Sequence, residues 1–341
     1  MIAAAYRGAR TFTVEQRAPV PPPPGDVRID VAYTGICGTD LHIFHGTMDH
    51  RVTMPAVIGH EMSGRIAAVG AGVTGWTVGD PVTVMPLRWC GECPACRNDS
   101  QHICHRLDFV GIDSPGSMQG SWTVPASLLI RLPDDLPLTH GALVEPTAVA
   151  VHDVRRGSVR PGEHVVVIGG GPVGLLIASV AAAEGADVRV IELDPVRRAT
   201  AEQIGLQTID PATATADIQA WTGGTGADVT FEVSGSAGGV TTAIEALATR
   251  GRCVMVAIHT EPRPVNLFQM FWRELTLIGA RVYVRDDFLR AVDLLSSGQI
   301  PADALISRIV ALADVTDAFT ALDGGGAMKI LIDCAAGAPD A

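Results

Sequence analysis

The amino-acid sequence is poor in lysine. Lys329 is the only lysine among 341 residues, so nearly all of the 25 basic residues are arginine. Chemistry that needs a lysine amine, such as Schiff-base formation, therefore has a single candidate. Charged residues make up only 18% of the chain and hydrophobic residues 47%, which predicts a substantial core and excludes wholesale disorder. The net charge of −12 disfavours nucleic acid as a partner, because an acidic surface repels phosphates.

The N-terminal residues Met1–Gln16 lack a long apolar stretch and carry Arg7 and Arg10, so they do not resemble an export signal. We therefore expect a cytoplasmic protein whose seven cysteines serve metal binding or catalysis rather than disulfides. Residues 165–183 form one run of 19 residues without a charge, a length that approaches a membrane span. Glycines and a proline interrupt this run, which favours a buried strand, a turn and a buried helix, and no membrane association.

The length suggests two domains, and the pattern changes near Val149. Before this point, short β-rich segments such as Val27–Tyr33 and Arg65–Val69 alternate with turns. After it, strands alternate with helices, which is typical of an α/β fold with a doubly wound parallel sheet. The predicted strands are His164–Ile168, Asp187–Glu192, Asp228–Val233, Cys253–Ile258 and Leu275–Ala280. The predicted helices are Pro172–Glu184, 194–204, Val240–Thr249 and Asp286–Ser297, the last with Phe288, Leu289, Val292 and Leu295 on one face.

A glycine-rich turn follows the first of these strands. Gly169, Gly171 and Gly174 form the pattern Gly-x-Gly-x-x-Gly between a strand and a helix, with Pro172 and Val173 inside it. In this context the pattern predicts dinucleotide binding, because the helix N-terminus offers free N–H groups and a positive dipole to the pyrophosphate.

An acidic residue completes the dinucleotide pattern. Glu192 follows Gly174 by 18 residues, at the end of the next predicted strand. A carboxylate there accepts hydrogen bonds from the adenosine ribose and repels a 2′-phosphate, so we expect NAD to be preferred over NADP. Arg197 and Arg198 lie just beyond and could weaken this preference.

Four cysteines lie close together in the sequence: Cys90, Cys93, Cys96 and Cys104. Four thiolates at this spacing can close a tetrahedral zinc site that leaves no open position, so the metal is expected to be structural. Free thiols, redox disulfides and an iron–sulfur cluster are the alternatives.

A second set of candidate ligands consists of Cys37, His60, Glu61 and Glu145. A thiolate, an imidazole and a carboxylate suit zinc, and three ligands leave room for water or substrate. Each residue alone is more often structural, because a single histidine is usually hydrogen-bonded in a core and a single glutamate is usually solvated.

Taken together, these motifs resemble the medium-chain zinc-dependent alcohol dehydrogenase superfamily along the whole chain. The resemblance is carried by residues 35–42, 59–61, the cysteine quartet, 145–146 and 169–174. Classical alcohol dehydrogenases have a cysteine at the position of Glu145, and a glutamate there is typical of the polyol branch, which includes sorbitol and 2,3-butanediol dehydrogenases. The resemblance implies a GroES-like β-rich catalytic domain formed by residues 1–148 and 283–341, and a Rossmann NAD-binding domain formed by residues 149–282.

The resemblance also implies two zinc ions per chain, one structural and one catalytic. The catalytic ion is held by Cys37, His60 and either Glu61 or Glu145, and the role of the remaining glutamate stays open. When bound, zinc acts as a Lewis acid that lets the substrate hydroxyl lose its proton near neutral pH.

Two further residues have roles implied by the resemblance. Thr39 passes the substrate proton, through ribose hydroxyls of the cofactor, to His42 near the surface. A helix cap for Thr39 and an ordinary exposed histidine for His42 are the structural alternatives. The resemblance places Val256 and Ile258 with the cofactor-binding residues, and it implies a homodimer or homotetramer.

The function expected from the sequence is hydride transfer between NAD and a secondary hydroxyl or ketone of a polyol, sugar alcohol or vicinal diol. An amino-alcohol dehydrogenase of the L-threonine type is the alternative, although the sequence from Glu145 to Ala148 fits polyol enzymes better. A third hypothesis is a non-catalytic dinucleotide-binding protein, since a fold does not fix a function. The complete set of zinc ligands argues against it.

Overall fold

A computed structural model describes residues 1–325 and 327–335 of the chain. One unit contains Met1–Glu145, Ala291–Ser296 and the described residues from Ile306 onward, and the second contains Pro146–Arg290 and Ser297–Leu305. The sequence-based division places the boundaries after residues 148 and 282. Residues 326 and 336–341 of its catalytic domain lie outside the described residues. In both divisions a C-terminal segment belongs to the same unit as the N-terminal residues. The exact domain limits stay a prediction.

The strands, in chain order, are β1 (Ile2–Tyr6), β2 (Phe12–Gln16), β3 (Asp26–Gly35), β4 (Glu61–Val69), β5 (Pro81–Val84), β6 (Leu87–Arg88), β7 (Asp108–Phe109), β8 (Ser121–Pro125), β9 (Leu129–Arg131), β10 (His164–Ile168), β11 (Asp187–Ile191), β12 (Gln207–Ile209), β13 (Ala227–Glu232), β14 (Leu247–Met255), β15 (Thr276–Gly279), β16 (Ile306–Ala311) and β17 (Lys329–Asp333).

The α-helices are α1 (Gly38–Phe44), α2 (Pro94–Arg97), α3 (Leu138–Gly141), α4 (Val144–Arg156), α5 (Pro172–Ala183), α6 (Pro195–Gln203), α7 (Ala214–Trp221), α8 (Ala237–Glu245), α9 (Leu267–Trp272), α10 (Arg285–Ser296), α11 (Ala302–Leu305) and α12 (Val315–Asp323). Short 3₁₀ segments lie at Asp49–Arg51, Gln101–Ile103, Ala126–Leu128 and Leu312–Asp314.

The first unit is built on a seven-stranded sheet with the order β16-β17-β3-β4-β5-β9, in which β8 also pairs with β3. Its longest strand, β3, pairs antiparallel with β4, β8 and β17. The end of β3 is the point that positions the metal site. There Gly35 pairs with Leu331 of β17 on one side and with Glu61 of β4 on the other.

The second unit is built on a six-stranded sheet with the order β12-β11-β10-β13-β14-β15. All five strand pairs in this sheet are parallel. Residues of the central strand β10 from Val165 to Ile168 are buried, as an apolar strand covered on both faces should be. This arrangement is the predicted doubly wound parallel sheet, and its order reverses at β10.

Three of the predicted elements need correction. The helix predicted at Val240–Thr249 is α8, which ends at Glu245, and residues 247–249 belong to β14. Pairing of Leu247 with Ala227 of β13 begins the strand here and overrides the helical propensity of this segment. The strand predicted to reach Ile258 ends at Met255. The apolar face predicted for α10 is wrong at Leu289, whose side chain is 48% exposed. The buried face contains Phe288, Val292 and Leu295.

No helix among the described residues is long and apolar enough to cross a membrane. The uncharged run that raised this question divides into β10, the glycine turn and the buried helix α5.

Candidate metal centres and cofactor site

The predicted catalytic ligands come together where β3 ends and β4 begins. Cys37 lies between β3 and α1, His60 directly precedes β4, and Glu61 is the first residue of β4. One ligand atom from each of these three side chains lies within 4.8 Å of the other two. His60 and Glu61 are each only 2% exposed. The donor set of thiolate, imidazole and carboxylate therefore fits a buried zinc ion with an open coordination position.

Gly35 makes room for this cluster. A Cβ atom at this position would clash with Oε2 of Glu61, so any larger residue would push the carboxylate away. Because Gly35 and Glu61 are cross-strand partners, the glycine in the segment before Cys37 has a defined steric purpose.

Asp40 supports His60 from behind. Its Oδ2 accepts a hydrogen bond of 2.9 Å from the backbone N–H of Cys37, and its Oδ1 lies 3.7 Å from Nδ1 of His60. Burial raises the pKa of Asp40 to about 6. Burial lowers the pKa of His60, but the charges of Asp40 and Cys37 outweigh burial and raise it well above its usual value. The cluster thus stabilises positive charge, which is what a divalent metal supplies, and the contact between Asp40 and His60 is electrostatic at this distance.

Lys329 is also part of the cluster. Its Nζ donates to Oε2 and Oε1 of Glu61, at 2.7 and 2.9 Å, and to the backbone oxygen of Ile36 at 3.1 Å. Burial lowers the pKa of Lys329, but the charge of Glu61 more than compensates, so the pKa is raised overall. Sequence reasoning missed both this lysine and Asp40. Only Asp40 had a local signal, since it lies three residues after Cys37.

The remaining predicted residues of this site lie on two helices. Glu145 is in the first turn of α4, is 4% exposed, and lies close enough for its charge to act on His60 and Lys329. Thr39 and His42 are on α1, where Thr39 is partly buried and His42 is exposed. The N-cap of α1 is Cys37, so the helix-cap alternative for Thr39 is wrong.

The four remaining metal-binding candidates form a separate cluster of sulfur atoms. The Sγ separations are 3.9 Å for Cys90–Cys96, 3.8 Å for Cys93–Cys104 and 3.5 Å for Cys90–Cys104. Zinc–sulfur bonds of about 2.3 Å in a tetrahedron place sulfur atoms about 3.8 Å apart. The separations therefore fit a metal with four thiolate ligands, and they are too long for disulfide bonds of about 2.0 Å.

Backbone N–H groups prepare the sulfur atoms of Cys90, Cys93 and Cys104 for negative charge, whereas burial raises the pKa of Cys96 to about 12. Cys93 donates to Sγ of Cys90 at 3.4 Å, and Arg106 donates to Sγ of Cys104 at 3.3 Å. A backbone hydrogen bond from Glu92 is the largest of the effects that lower the pKa of Cys90 to about 6. Thiolates are the form that binds metal, so the loop is arranged to hold an ion.

The glycine turn has the geometry that its pattern predicts. Gly169 has φ of +106°, a conformation that favours glycine, and a Cβ at Gly174 would overlap the backbone oxygen of Gly169. Gly171 is the N-cap of α5 and Pro172 its first residue, with Val173 next. The N–H groups at the start of this twelve-residue helix therefore face a turn that has no side chains to block a phosphate.

Glu192 lies beside this turn. Its Oε2 accepts from the backbone N–H of Gly170 at 2.7 Å, and its Oε1 accepts from that of Asp194 at 2.8 Å. The carboxylate is thus fixed at the adenosine side of the turn, with free lone pairs for further donors. Arg197 has a terminal nitrogen 3.9 Å from Oε2 of Glu192. On the other side of β10, Val256 and Ile258 follow the end of β14, and Ile258 is 69% exposed.

Two family models match the chain. The model for the alcohol dehydrogenase GroES-like domain matches residues 23–134, and the model for zinc-binding dehydrogenases matches residues 172–297. The two matches fall on the mixed sheet and on the parallel sheet, and they confirm the predicted combination of a GroES-like and a Rossmann domain.

Similar proteins are found along the whole chain. A 2-dehydro-3-deoxy-L-galactonate 5-dehydrogenase from Pseudoalteromonas atlantica is 49% identical over 98% of this chain and 99% of its own length. A probable D-xylulose reductase A from Aspergillus clavatus is 36% identical over 91% of this chain and 89% of its own length. The crystal structure of 2R,3R-butanediol dehydrogenase from Bacillus subtilis has a TM-score of 0.90 at 32% identity, covering 97% of this chain and 99% of that one.

Proposed function

The chain belongs to the zinc-binding medium-chain dehydrogenase family, and we propose that it transfers a hydride between NAD and a secondary hydroxyl or ketone of a polyol or sugar-derived acid. The observation that carries this proposal is the buried Cys37–His60–Glu61 cluster, whose ligand atoms lie within 4.8 Å of one another. The relative with 49% identity acts, by its name, on a 2-dehydro-3-deoxy sugar acid. A sugar acid of that kind is therefore our first candidate substrate.

We propose that Cys37, His60 and Glu61 bind the catalytic zinc directly, with Glu145 beside them. Glu61 supports this choice because its carboxylate is already within reach of both other ligand atoms. Lys329 donates to both oxygens of that carboxylate, and each oxygen keeps a further lone pair that can bind the metal. Zinc supplies the Lewis acid that polarises the substrate oxygen. Cys90, Cys93, Cys96 and Cys104 hold the structural ion.

The chain's own residues then remove the proton. We propose that the Thr39 hydroxyl, two residues after Cys37, takes the substrate proton and that His42, exposed on the same helix, delivers it to solvent. A hydroxyl relay suits a site whose charged side chains, His60 and Glu61 among them, are almost fully buried.

We propose NAD as the preferred dinucleotide. Glu192 is 8% exposed and is fixed by two backbone N–H groups at the adenosine side of the turn, where it would repel a 2′-phosphate. Arg197 weakens the preference for NAD over NADP but does not reverse it, because its guanidinium is paired with Glu192.

One experiment tests substrate and cofactor together. The zinc-loaded protein is assayed with 2-dehydro-3-deoxy-L-galactonate, sorbitol, 2,3-butanediol and L-threonine, each with NAD and NADP. We expect the highest kcat/KM with the sugar acid and NAD. A preference for L-threonine would establish the amino-alcohol alternative, and no turnover with any secondary alcohol would overturn the enzymatic proposal.

We also propose a homodimer or homotetramer. Strand β15 is at the edge of the parallel sheet, and Leu277 on it is 43% exposed. Next to it in sequence, α9 exposes apolar side chains by 68–78%: Leu267, Phe268, Phe271 and Trp272. An open strand edge with a large apolar patch fits an interface with a second copy. Light scattering should give a multiple of the chain mass, and Phe271→Asp should reduce it.

A cytoplasmic location is the last part of the proposal. All seven cysteines are free thiols, and both metal sites need reduced thiolates, which a reducing compartment maintains.

A further inference from the structure

A buried glutamate–histidine pair lies at the carboxyl ends of β13 and β14 in the parallel sheet. Glu232, the last residue of β13, is fully buried. Its Oε1 accepts from the backbone N–H groups of Ser234 and Gly235, at 3.0 Å each, and from the hydroxyl of Ser234. Its Oε2 lies 2.9 Å from Nε2 of His259, whose side chain is 14% exposed.

This arrangement fixes the tautomer of His259. Glu232 already accepts two backbone donors, so it acts as a carboxylate acceptor and Nε2 of His259 carries the hydrogen. Nδ1 is then a bare acceptor. It is buried, and it has no hydrogen-bond partner among residues 1–325 and 327–335. Burying a hydrogen-bond acceptor without a donor costs free energy, which indicates that a ligand supplies the donor.

The sheet order shows which part of a dinucleotide would reach His259. Strand β10 and its glycine turn lie at the switch point, with β11 on one side and β13, then β14, on the other. Glu192 follows β11 and so marks the adenosine side. A dinucleotide that crosses the switch point therefore places its nicotinamide half at the ends of β13 and β14.

We propose that Nδ1 of His259 accepts a hydrogen bond from the carboxamide N–H of bound nicotinamide, and that Glu232 is the positioning residue that accepts the Nε2 hydrogen and so selects the neutral tautomer with its acceptor at Nδ1. Ribose hydroxyls can pair with donors or acceptors, whereas the carboxamide nitrogen is only a donor and needs an acceptor of this kind. This assignment rests on the proposed dinucleotide-dependent function and adds a residue that recognises the nicotinamide half by a hydrogen bond.

The test compares three ligands on the full-length protein. The variant His259→Gln keeps an amide N–H for Glu232 but has no ring Nδ1. Calorimetry gives the Kd for NAD, for its 3-acetylpyridine analogue, which replaces the carboxamide with a methyl ketone, and for ADP-ribose, which lacks the ring. We expect the variant to bind NAD about tenfold more weakly, the scale of one lost hydrogen bond. Binding of the analogue and of ADP-ribose should be unchanged.

His164→Gln is the matched control. His164 is at the opposite, amino end of β10, where its ring contacts Trp221 at a centroid distance of 4.7 Å, and its replacement should leave all three Kd values unchanged. If His259→Gln does not fold, Glu232→Gln serves instead, because it releases the tautomer and should weaken NAD selectively.

Other results would overturn the assignment. Equal weakening of all three ligands would mean that His259 contacts a group they share, the ribose or the phosphates, or only shapes the loop. Equal weakening of NAD and the analogue, with ADP-ribose unchanged, would place the contact on the ring or its carbonyl oxygen, and unchanged NAD binding would exclude any contact. If the unaltered protein bound none of the three ligands, the dinucleotide-dependent function itself would be refuted.

Discussion

Lys329 places its Nζ 2.7 Å from Oε2 of Glu61, and both side chains are less than 5% exposed. The two residues are 268 positions apart in the sequence and meet because β17 and β4 flank the end of β3. The single lysine of the chain is thus the counter-ion of a metal-site carboxylate, which connects the C-terminal segment to the candidate zinc centre.

Replacing Lys329 by methionine should destabilise the metal-free protein strongly. The change leaves Glu61 buried without its counter-ion, and breaking a buried pair costs about 3–5 kcal/mol. Bound zinc would supply part of the missing positive charge, so the loss should be smaller in the zinc-loaded protein. Urea unfolding of both forms measures the difference.

The double variant Lys329→Met/Glu61→Gln is the control for that prediction. It removes both charges and should recover a large part of the lost free energy of unfolding in the metal-free form. Equal destabilisation of metal-free and zinc-loaded Lys329→Met would contradict the proposed link between this pair and the metal.

Thr39→Val should lower kcat by about 10²-fold, the usual scale of a lost proton-transfer step. Because Thr39 is outside both sets of metal ligands and outside the glycine turn, zinc content and the Kd of NAD should not change. Steady-state kinetics with metal analysis and calorimetry test this. Near-normal turnover would remove Thr39 from the proton path.

Cys93→Ser should reduce bound zinc from two ions per chain to one and lower the melting temperature. Metal binding at the four-cysteine loop is coupled to its folding, since the buried cysteines are the main core of that loop. Metal analysis and calorimetric scanning measure both effects. Cys253→Ala, in the core of the parallel sheet, should keep two zinc ions, and full zinc content in Cys93→Ser would refute the structural site.

Asp153→Asn should raise the melting temperature at pH 8. Burial, with a smaller contribution from the charge of Asp287, raises the pKa of Asp153 well above its usual value. The native state therefore binds a proton that the unfolded state has released, and stability falls as the pH rises between the two pKa values. Asparagine has no such loss, so its advantage should shrink toward pH 4. Melting curves from pH 4 to 8 measure the trend.

Asp287→Asn is the matched control and should have the opposite effect. Burial alone would raise the pKa of Asp287, but hydrogen bonds from His152 and Arg155 lower it overall. Its charge therefore stabilises the fold at neutral pH, and that contribution is lost only in acid. The same sign for both variants at pH 8 would contradict this account.

Elements controlled by local chemistry could be predicted from the sequence. Strand β10 has the predicted limits, and α6 begins after its N-cap Asp194, whose side chain accepts from the N–H groups of Val196 and Arg197. The glycine turn was predictable for the same reason, since backbone conformation and steric clearance depend on a few neighbouring residues.

Features that depend on distant strands could not be predicted. Residues 247–249 have helical propensity but belong to β14, because Leu247 pairs with Ala227 of β13, a partner that a local pattern does not contain. No sequence pattern around Lys329 indicated a role at the metal site, since only the order of strands in the sheet brings it next to Glu61. The pairing of Glu232 with His259 was hidden in the same way.

The burial of Lys329 also determines how the protein reacts with amine-directed reagents. The folded chain presents no lysine side chain at its surface, so acylating dyes and lysine-directed cross-linkers have no freely reactive target of that type. Reaction at Lys329 requires the segment around β17 to open locally. The rate of acylation at this one position would therefore report the opening of the candidate zinc site, without an engineered probe.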